Sequence, residues 1–213
     1  MGAKSTTETI VPVTYDVLKE KYRAYNSPKD KIARLVSAGE LTRLKKGLFL
    51  PCSLGNAAAA SRELIANTLR GPSYVSLQTA LAFYGMIPEY VYSTRSITTK
   101  RSKVYQTQLG RFDYSTAKPE YFSIGIKSLT IDGVSFLIAS PEKAVCDMIA
   151  MTPKLRIQSA KAMREYLEED MRIDISELER IDFSIFDSVI AACVKRMEIG
   201  LLKEYCRNGR QFI

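Results

Sequence analysis

The sequence contains no histidine and no tryptophan, and its four cysteines form no Cys-x-x-Cys pair. The missing histidine excludes the Ser-His-Asp and Cys-His catalytic arrangements and removes the side chain that most often transfers protons near neutral pH. Four scattered cysteines without histidine do not provide the ligand spacing of a zinc site. We therefore expect four reduced thiols packed in the interior, with no metal and no cofactor.

Signatures of common catalytic classes are also missing. The chain has no Asp/Glu-x-Lys sequence, so it does not predict the Mg²⁺ site of a restriction-type nuclease. It has no Gly-Ser sequence of the kind that opens a nucleotidyltransferase site, and no Walker loop. Glu142 remains as a candidate general base, although an acid in the first turn of a helix is also explained by the helix dipole. We expect no catalytic residue and no enzymatic activity.

Long hydrophobic runs are absent as well. No stretch approaches 18 consecutive apolar residues, and "MGAKSTTETIVPV" lacks the basic segment and long apolar run of a signal peptide. The 213 residues are 46% hydrophobic and 25% charged, which is typical of a globular protein with one large or two small domains. We expect a cytoplasmic protein that does not contact a membrane.

The net charge of +8 is unevenly distributed. Residues 15–50 carry nine Lys and Arg against four Asp and Glu, which gives 9 − 4 = +5. Residues 51–213 carry 21 basic and 18 acidic residues, which gives 21 − 18 = +3 over a much longer stretch. A compact basic segment ahead of a nearly balanced body predicts an interaction with phosphate groups.

Two helices are predicted in the basic segment. "TYDVLKEKYRAY" begins with Thr14, which is a favourable N-cap, and places apolar residues at helical spacing. Ser27 is a second N-cap, and Pro28 suits the first turn of the helix that follows because that position needs no intrahelical N–H bond. The buried stripe of this second helix is predicted to be Ile32, Leu35 and Val36.

A two-stranded hairpin is predicted directly after these helices. Gly39 can end the second helix in the left-handed conformation, and "ELTRLKKGLFLP" then alternates in hydrophobicity around a turn at Gly47. The order helix, turn, helix, hairpin predicts a winged helix-turn-helix domain over residues 1–52. Its second helix would enter the major groove of DNA, which is wide enough for one helix.

The outer face of the second helix and the hairpin tip carry the candidate DNA contacts. Arg34 can bridge O6 and N7 of guanine, and Asp30 one turn earlier can hold its guanidinium; the alternative is an ordinary exposed ion pair. Lys45 and Lys46 are predicted to bind phosphates, although hairpin tips are often rich in lysine for solubility alone. The predicted DNA-binding residues are Ser27, Lys29, Asp30, Lys31, Arg34, Arg43, Lys45 and Lys46.

Residues 53–213 predict a second, mixed α/β domain with a helical tail from about residue 155, so that the whole chain has an α+β fold. In "KSLTIDGVSFLIAS", Asp132-Gly133 is a two-residue turn signal between two alternating strands. Ser140 and Pro141 then predict a helix start. The other predicted elements are a helix over 57–69, a helix capped by Ser76, strands near 92–98, 104–108 and 111–116, and helices over 156–170, 175–180, 184–196 and 197–206.

A second basic cluster lies in "TTKRSK" and comprises Lys100, Arg101 and Lys103. Aromatic residues follow it closely in the chain, an arrangement typical of surfaces that bind single-stranded nucleic acid. We predict a secondary surface here for phosphates, for RNA or for an acidic protein partner. The alternative is a solvated connection between strands.

Three segments in this order resemble the AbiEi-like family: "LVSAGELTRLKKGLFLP", "YVSLQTALAFYGMIPE" and "IDGVSFLIASPEKAVCDMI". The resemblance covers roughly residues 14–150. Members of that family are the antitoxins and transcriptional regulators of type IV toxin–antitoxin systems. The resemblance implies that a winged helix-turn-helix binds the operator of its own operon, and that the second domain antagonises a nucleotidyltransferase-like toxin without catalysis.

One departure from the usual winged helix-turn-helix stands at the N-terminus. Only 13 residues precede Thr14, and Pro12 interrupts them, so a full first helix is not predicted. That helix is either shortened or supplied by another part of the chain. We expect a sequence-specific DNA-binding regulator that acts as an autoregulating antitoxin; the alternative is a non-catalytic module whose basic face binds a protein or RNA.

Overall fold

The structure is a computed structural model that describes residues 10–52, 55–56, 59–173, 182–193 and 195–209. The described chain is mixed α/β and contains two sheets. A three-stranded sheet lies near the N-terminus, and a six-stranded mixed sheet forms the body of the molecule.

The N-terminal unit consists of the first five elements. They are β1 (Val13–Thr14), α1 (Tyr15–Lys21), α2 (Pro28–Ser37), β2 (Thr42–Lys45) and β3 (Leu48–Leu50). The strands are antiparallel in the order β1-β3-β2. The two helices and the hairpin therefore follow one another as the sequence predicts.

Local signals fix the ends of these elements. The side-chain oxygens of Thr14 and Ser27 each accept a 3.4 Å hydrogen bond from the backbone N–H three residues on, which confirms both predicted N-caps. Gly39 after α2 and Gly47 in the hairpin have φ angles of +73° and +79°. Both glycines thus take the left-handed conformation that the sequence predicts for them.

The N-terminal unit opens on a strand that the sequence does not predict. β1 pairs with β3, and Val13 lies opposite Phe49. A strand of two residues is too short to show alternation, so only its pairing identifies it. No helix precedes β1 between residue 10 and Val13. A small apolar core holds this unit together and consists of Leu18, Ile32, Leu35, Leu41 and Phe49.

The strand β3 of the hairpin is buried on both faces, whereas Arg43 of β2 is exposed. Phe49 belongs to the small core, but Leu44, Leu48 and Leu50 belong to the large core of the six-stranded sheet. The predicted domain boundary at residue 52 therefore runs through a core that both parts of the chain share.

The larger sheet and the helices around it are built from the next ten elements. They are α3 (Arg62–Leu69), β4 (Ser73–Val75), α4 (Leu77–Phe83), β5 (Ser93–Thr98), β6 (Lys103–Thr107), β7 (Gly110–Thr116), α5 (Pro119–Phe122), β8 (Ile126–Ile131), β9 (Val134–Ala139) and α6 (Pro141–Met151). The strand order is β6-β7-β5-β4-β9-β8, with β4–β9 and β5–β7 parallel and the other neighbours antiparallel. The helix α3 lies against this sheet, and α4 packs on α6.

Most of these elements agree with the sequence. Asp132 and Gly133 join β8 to β9 with φ angles of +50° and +76°, the left-handed pair that a tight hairpin turn needs. The Ser140 hydroxyl accepts a 3.3 Å hydrogen bond from the backbone of Lys143 and thereby caps α6, as predicted. The helix predicted over 57–69 begins only at Arg62, and residues 57 and 58 lie outside the described residues. Neither β4 nor α5 was predicted.

The last described part of the molecule is helical, as predicted. Its helices are α7 (Ala160–Glu165), continued by a π-helical turn at Tyr166–Asp170, then α8 (Phe183–Ala192) and α9 (Arg196–Gly209). The first of these starts later than the predicted residue 156 because Ser159 caps it with a 3.1 Å hydrogen bond. The helix predicted over 175–180 lies outside the described residues. All four cysteines are buried and none forms a disulfide, which confirms the prediction of packed thiols.

Candidate nucleic-acid interface

A groove of about 680 Å³ lies between α2 and the hairpin of β2 and β3. On the helix side it is lined by Lys29, Ala33 and Ser37, which recur every four residues and so share one face of α2. On the hairpin side it is lined by Arg43 and Lys46. We call this feature, defined by these five residues, the α2–hairpin groove.

The two walls of the groove are held in place by the small core. Ile32 and Leu35 of α2 are 3% and 6% exposed, and they pack in the same cluster as Phe49 of the hairpin. The turn of the hairpin is also tied to α1, because the backbone N–H of Tyr15 donates a 2.9 Å hydrogen bond to the carbonyl of Gly47. The cationic side chains therefore project from a packed scaffold.

The groove is positively charged. Lys29, Arg43 and Lys46 stand against one carboxylate, Asp16, which gives 3 − 1 = +2. None of these four residues takes part in an ion pair within the described part of the chain. The three cations are exposed and remain available to an external anion.

Lys45 does not line this groove. Its Nζ atom donates a 2.6 Å hydrogen bond to the carbonyl of Leu69 and lies 5.9 Å from the centre of the Tyr105 ring. The reason is a β-bulge: Arg43 lies opposite Phe49, whereas Lys45 lies opposite Leu48. A regular strand would direct residues 43 and 45 to one face, but the extra residue at 44 turns Lys45 toward the larger sheet.

From the sequence, Lys45 and Lys46 are predicted to make equivalent phosphate contacts. In the structure, the two side chains lie in different places. Lys46 lines the α2–hairpin groove, and Lys45 faces the body of the molecule. Strand alternation in the sequence could not reveal this difference, because a bulge depends on the register with the partner strand.

The outer face of α2 carries the other candidates. Arg34 is exposed, and its Nε atom donates a 3.4 Å hydrogen bond to the backbone carbonyl of Asp30. The predicted role of the Asp30 carboxylate in holding Arg34 is therefore taken by the backbone. Lys31 is half-buried, with Nζ 5.3 Å from the centre of the Tyr25 ring. Ser27 serves as the N-cap of α2.

The second basic cluster lies beside Lys45. Lys100 donates a 2.5 Å hydrogen bond to the carbonyl of Gly71, and Arg70 donates to the carbonyl of Arg101. The Nζ atom of Lys103 lies 4.7 Å from the Tyr105 ring centre. The sequence predicted the group at 100–103, but it did not show that the chain brings two further cations to it. The complete group comprises Lys45, Arg70, Lys100, Arg101 and Lys103, and we call it the seam cluster.

A buried polar network lies in the interior of the larger unit, which comprises the six-stranded sheet and the helices that follow the N-terminal unit. Asp147 accepts hydrogen bonds from Lys143 at 2.8 Å, from the hydroxyls of Tyr121 and Ser76 at 2.6 Å each, and from the Tyr74 hydroxyl at 3.1 Å. Burial, together with the Asp147 charge, raises the pKa of the Tyr121 hydroxyl well above its ordinary value. The side chains of Lys143 and Asp147 are both 0% exposed. A substrate cannot reach them, so we interpret the network as part of the core.

Glu142, the candidate general base, is also engaged in the fold. Its side chain is buried, and one oxygen accepts a 3.1 Å hydrogen bond from the backbone N–H of Asp182, directly ahead of α8. The residues that the structure describes contain no group of three or more His, Cys, Asp and Glu side chains that could hold a metal ion. Among the same residues, no helix is both long enough and apolar enough to cross a membrane.

No protein-family model matches the chain, and no curated protein matches it either.

Proposed function

We propose that this protein is a sequence-specific DNA-binding transcriptional regulator and that its N-terminal unit acts as a winged helix-turn-helix. In this proposal α2 enters the major groove, and the hairpin of β2 and β3 is the wing. The observation that carries the proposal is the α2–hairpin groove, where Lys29, Arg43 and Lys46 converge without an ion pair in the described chain.

The shape of the groove supports contact with a DNA backbone. The major groove of B-DNA accepts one helix and is bordered by phosphates on both sides. A hairpin held beside that helix lies over the neighbouring backbone, so cations on both walls meet the same row of phosphates. Arg34, on the outer face of α2, is then directed at the base edges, where a guanidinium can bind guanine through two hydrogen bonds.

The role of autoregulating antitoxin is the further part of this proposal, and it rests on the resemblance to the AbiEi-like family. Its partner would be a nucleotidyltransferase-like toxin encoded nearby. An exposed aromatic pair on the six-stranded part of the molecule supports a protein partner without identifying it. Tyr90 and Tyr92 are 77% and 83% exposed, with ring centres 5.0 Å apart in an edge-to-face pair. Exposed tyrosine is enriched at protein interfaces, so the same pair also supports the alternative of a protein-interaction module.

The DNA-binding proposal is tested by the double variant Arg43→Ala/Lys46→Ala in the full chain. Loss of two phosphate contacts should make the slope of log K against log [salt] shallower by about 0.9 per contact, or roughly 1.8 in all. Affinity should fall about equally for specific and random duplexes, because phosphates carry no sequence information. Binding is measured by fluorescence anisotropy over a series of salt concentrations.

The matched control is Lys127→Ala/Lys161→Ala, which removes two exposed charges on β8 and α7. It should bind like the unmodified protein, and both double variants should keep its melting temperature. Identical salt slopes for the two double variants would show that the α2–hairpin groove does not bind DNA.

A further inference from the structure

The seam cluster gathers five cations from three separate parts of the chain. Lys45 comes from β2, Arg70 directly follows α3, and the remaining three lie on β6 or just before it. Three of the five side chains are held by backbone carbonyls: Lys45 by Leu69, Lys100 by Gly71 and Arg70 by Arg101. Lys45 and Lys100 therefore meet on one short segment, residues 69–71, and the Arg70 side chain joins that segment to Arg101.

Tyr105 stands at the centre of this arrangement. Lys45 and Lys103 both lie against its ring, at 5.9 Å and 4.7 Å from the ring centre. Burial alone would raise the pKa of the Tyr105 hydroxyl, but Arg70, Lys103 and Lys45 together hold that pKa below its ordinary value. Three of the five cations of the cluster therefore act on the same tyrosine side chain.

No carboxylate of the described residues forms an ion pair with any member of the cluster. The carboxylate of Asp113 on the neighbouring strand pairs with Arg111 at 2.8 Å. Because Tyr105 lies opposite Phe112 in the ladder, residue 113 points to the other face of the sheet. Arg70 also retains a buried Nε–H with no hydrogen-bond partner among the described residues. Five like charges held together in this way repel one another, and an anion bound among them relieves that repulsion.

We propose that the seam cluster is a phosphate-binding site at the junction of the N-terminal unit and the larger sheet. Lysine and arginine side chains together with a tyrosine hydroxyl provide several hydrogen-bond donors in one region of the surface, which suits the tetrahedral oxygens of a phosphate group. The phosphate belongs either to a nucleic-acid backbone or to a smaller ligand. In the first case the site extends the DNA contact of the proposed function and rests on it, because Lys45 directly precedes the wing residue Lys46.

The site is tested with the full chain and the double variant Arg101→Ala/Lys103→Ala. Both side chains are exposed, so the fold should survive their loss. The first probe is inorganic phosphate, which should raise the melting temperature of the unmodified protein by a few degrees relative to chloride at equal ionic strength. The double variant should lose this rise, whereas the matched control Lys127→Ala/Lys161→Ala should keep it. General salting-out by phosphate acts on all variants alike and cancels in this comparison.

The second probe is a DNA duplex over a series of salt concentrations, and it identifies the source of the phosphate. A salt slope shallower by up to about 1.8 in Arg101→Ala/Lys103→Ala but not in the control assigns the site to a polynucleotide backbone. An unchanged slope, together with the loss of the effect of inorganic phosphate, assigns it to a smaller phosphate ligand. Equal behaviour of the two double variants toward both probes would overturn the proposal. If the unmodified protein binds no duplex, the proposed function fails, and the inorganic phosphate measurement still decides whether the site exists.

Discussion

At the scale of single residues, the described part of the chain contains two Lys–acid pairs with the same spacing and opposite surroundings. Lys143 and Asp147 on α6 are 2.8 Å apart with side chains 0% exposed. Lys161 and Glu165 on α7 are 3.7 Å apart with side chains 85% and 50% exposed. The sequence shows both pairs four residues apart on a helix, but it does not show which one is buried. A comparison of the two pairs therefore isolates the effect of burial on their contribution to the stability of the fold.

We predict that Lys143→Met lowers the free energy of unfolding by about 3–5 kcal/mol, because it leaves the Asp147 carboxylate buried without its cation. The control Lys161→Met should change that free energy by less than about 0.5 kcal/mol, since water already screens the exposed pair. Both values come from urea denaturation followed by circular dichroism. If the two variants lost the same free energy of unfolding, the buried pair would stabilise the fold no more than the exposed pair does.

At the scale of elements, helix and hairpin positions were predicted where local chemistry determines them. Ser27-Pro28 and Ser140-Pro141 place two helix starts, and Asp132-Gly133 places a turn, because each of these pairs specifies its own backbone conformation. The short strands β1 and β4 were not predicted because only their pairing with distant strands defines them. The bulge in β2 also depends on pairing with another strand, so the position of Lys45 was not predicted either.

The candidate site was also predicted only where local sequence patterns determine it. Lys29, Arg43 and Lys46 were recognised from their place in a basic helix and hairpin, and the structure brings them to one groove. Arg70 was not recognised because it lies 25 residues after Lys45 in the chain and joins the seam cluster only through the packing of α3 on the larger sheet. Convergence of distant cations is a property of the tertiary fold, and no local pattern reports it.

The element that the DNA-binding proposal depends on most is α2, and Arg34 is its most informative residue. If Arg34 reads a guanine edge, Arg34→Ala should weaken binding to the preferred site by about 1–3 kcal/mol and relax discrimination at one base position. Arg34→Lys should restore charge but not discrimination, because lysine lacks the planar pair of donors. Binding is measured on a panel of duplexes that differ at single positions.

If Arg34 contacts a base, Arg34→Ala should reduce discrimination at one base position. An equal loss of affinity for every duplex in the panel would instead identify Arg34 as a phosphate contact. The side chain is exposed on α2, so the melting temperature should stay unchanged and serves as the control for folding.

At the scale of the whole molecule, the two units are joined by a shared core. Leu44, Leu48 and Leu50 of the hairpin pack in the large cluster together with Leu69 of α3, and Leu50 is 0% exposed. The hydrogen bond from Lys45 to the carbonyl of Leu69 crosses the same junction. A hairpin anchored in this way cannot tilt without opening the core, so the α2–hairpin groove and the seam cluster should keep a fixed relation to each other.

We therefore predict that the chain unfolds as one cooperative unit and that a fragment of residues 53–213 does not fold to the native state. Removal of the hairpin would take Leu44, Leu48 and Leu50 out of the large apolar cluster and expose the apolar residues packed against them to water. The milder variant Leu50→Ala should lower the free energy of unfolding by about 2–5 kcal/mol. It should also weaken hydrogen-exchange protection in β4 and β5 of the larger sheet, although the substitution lies in the N-terminal unit. If the units were independent, Leu50→Ala would instead produce two separate melting transitions, and the fragment of residues 53–213 would melt at the same temperature as the intact protein.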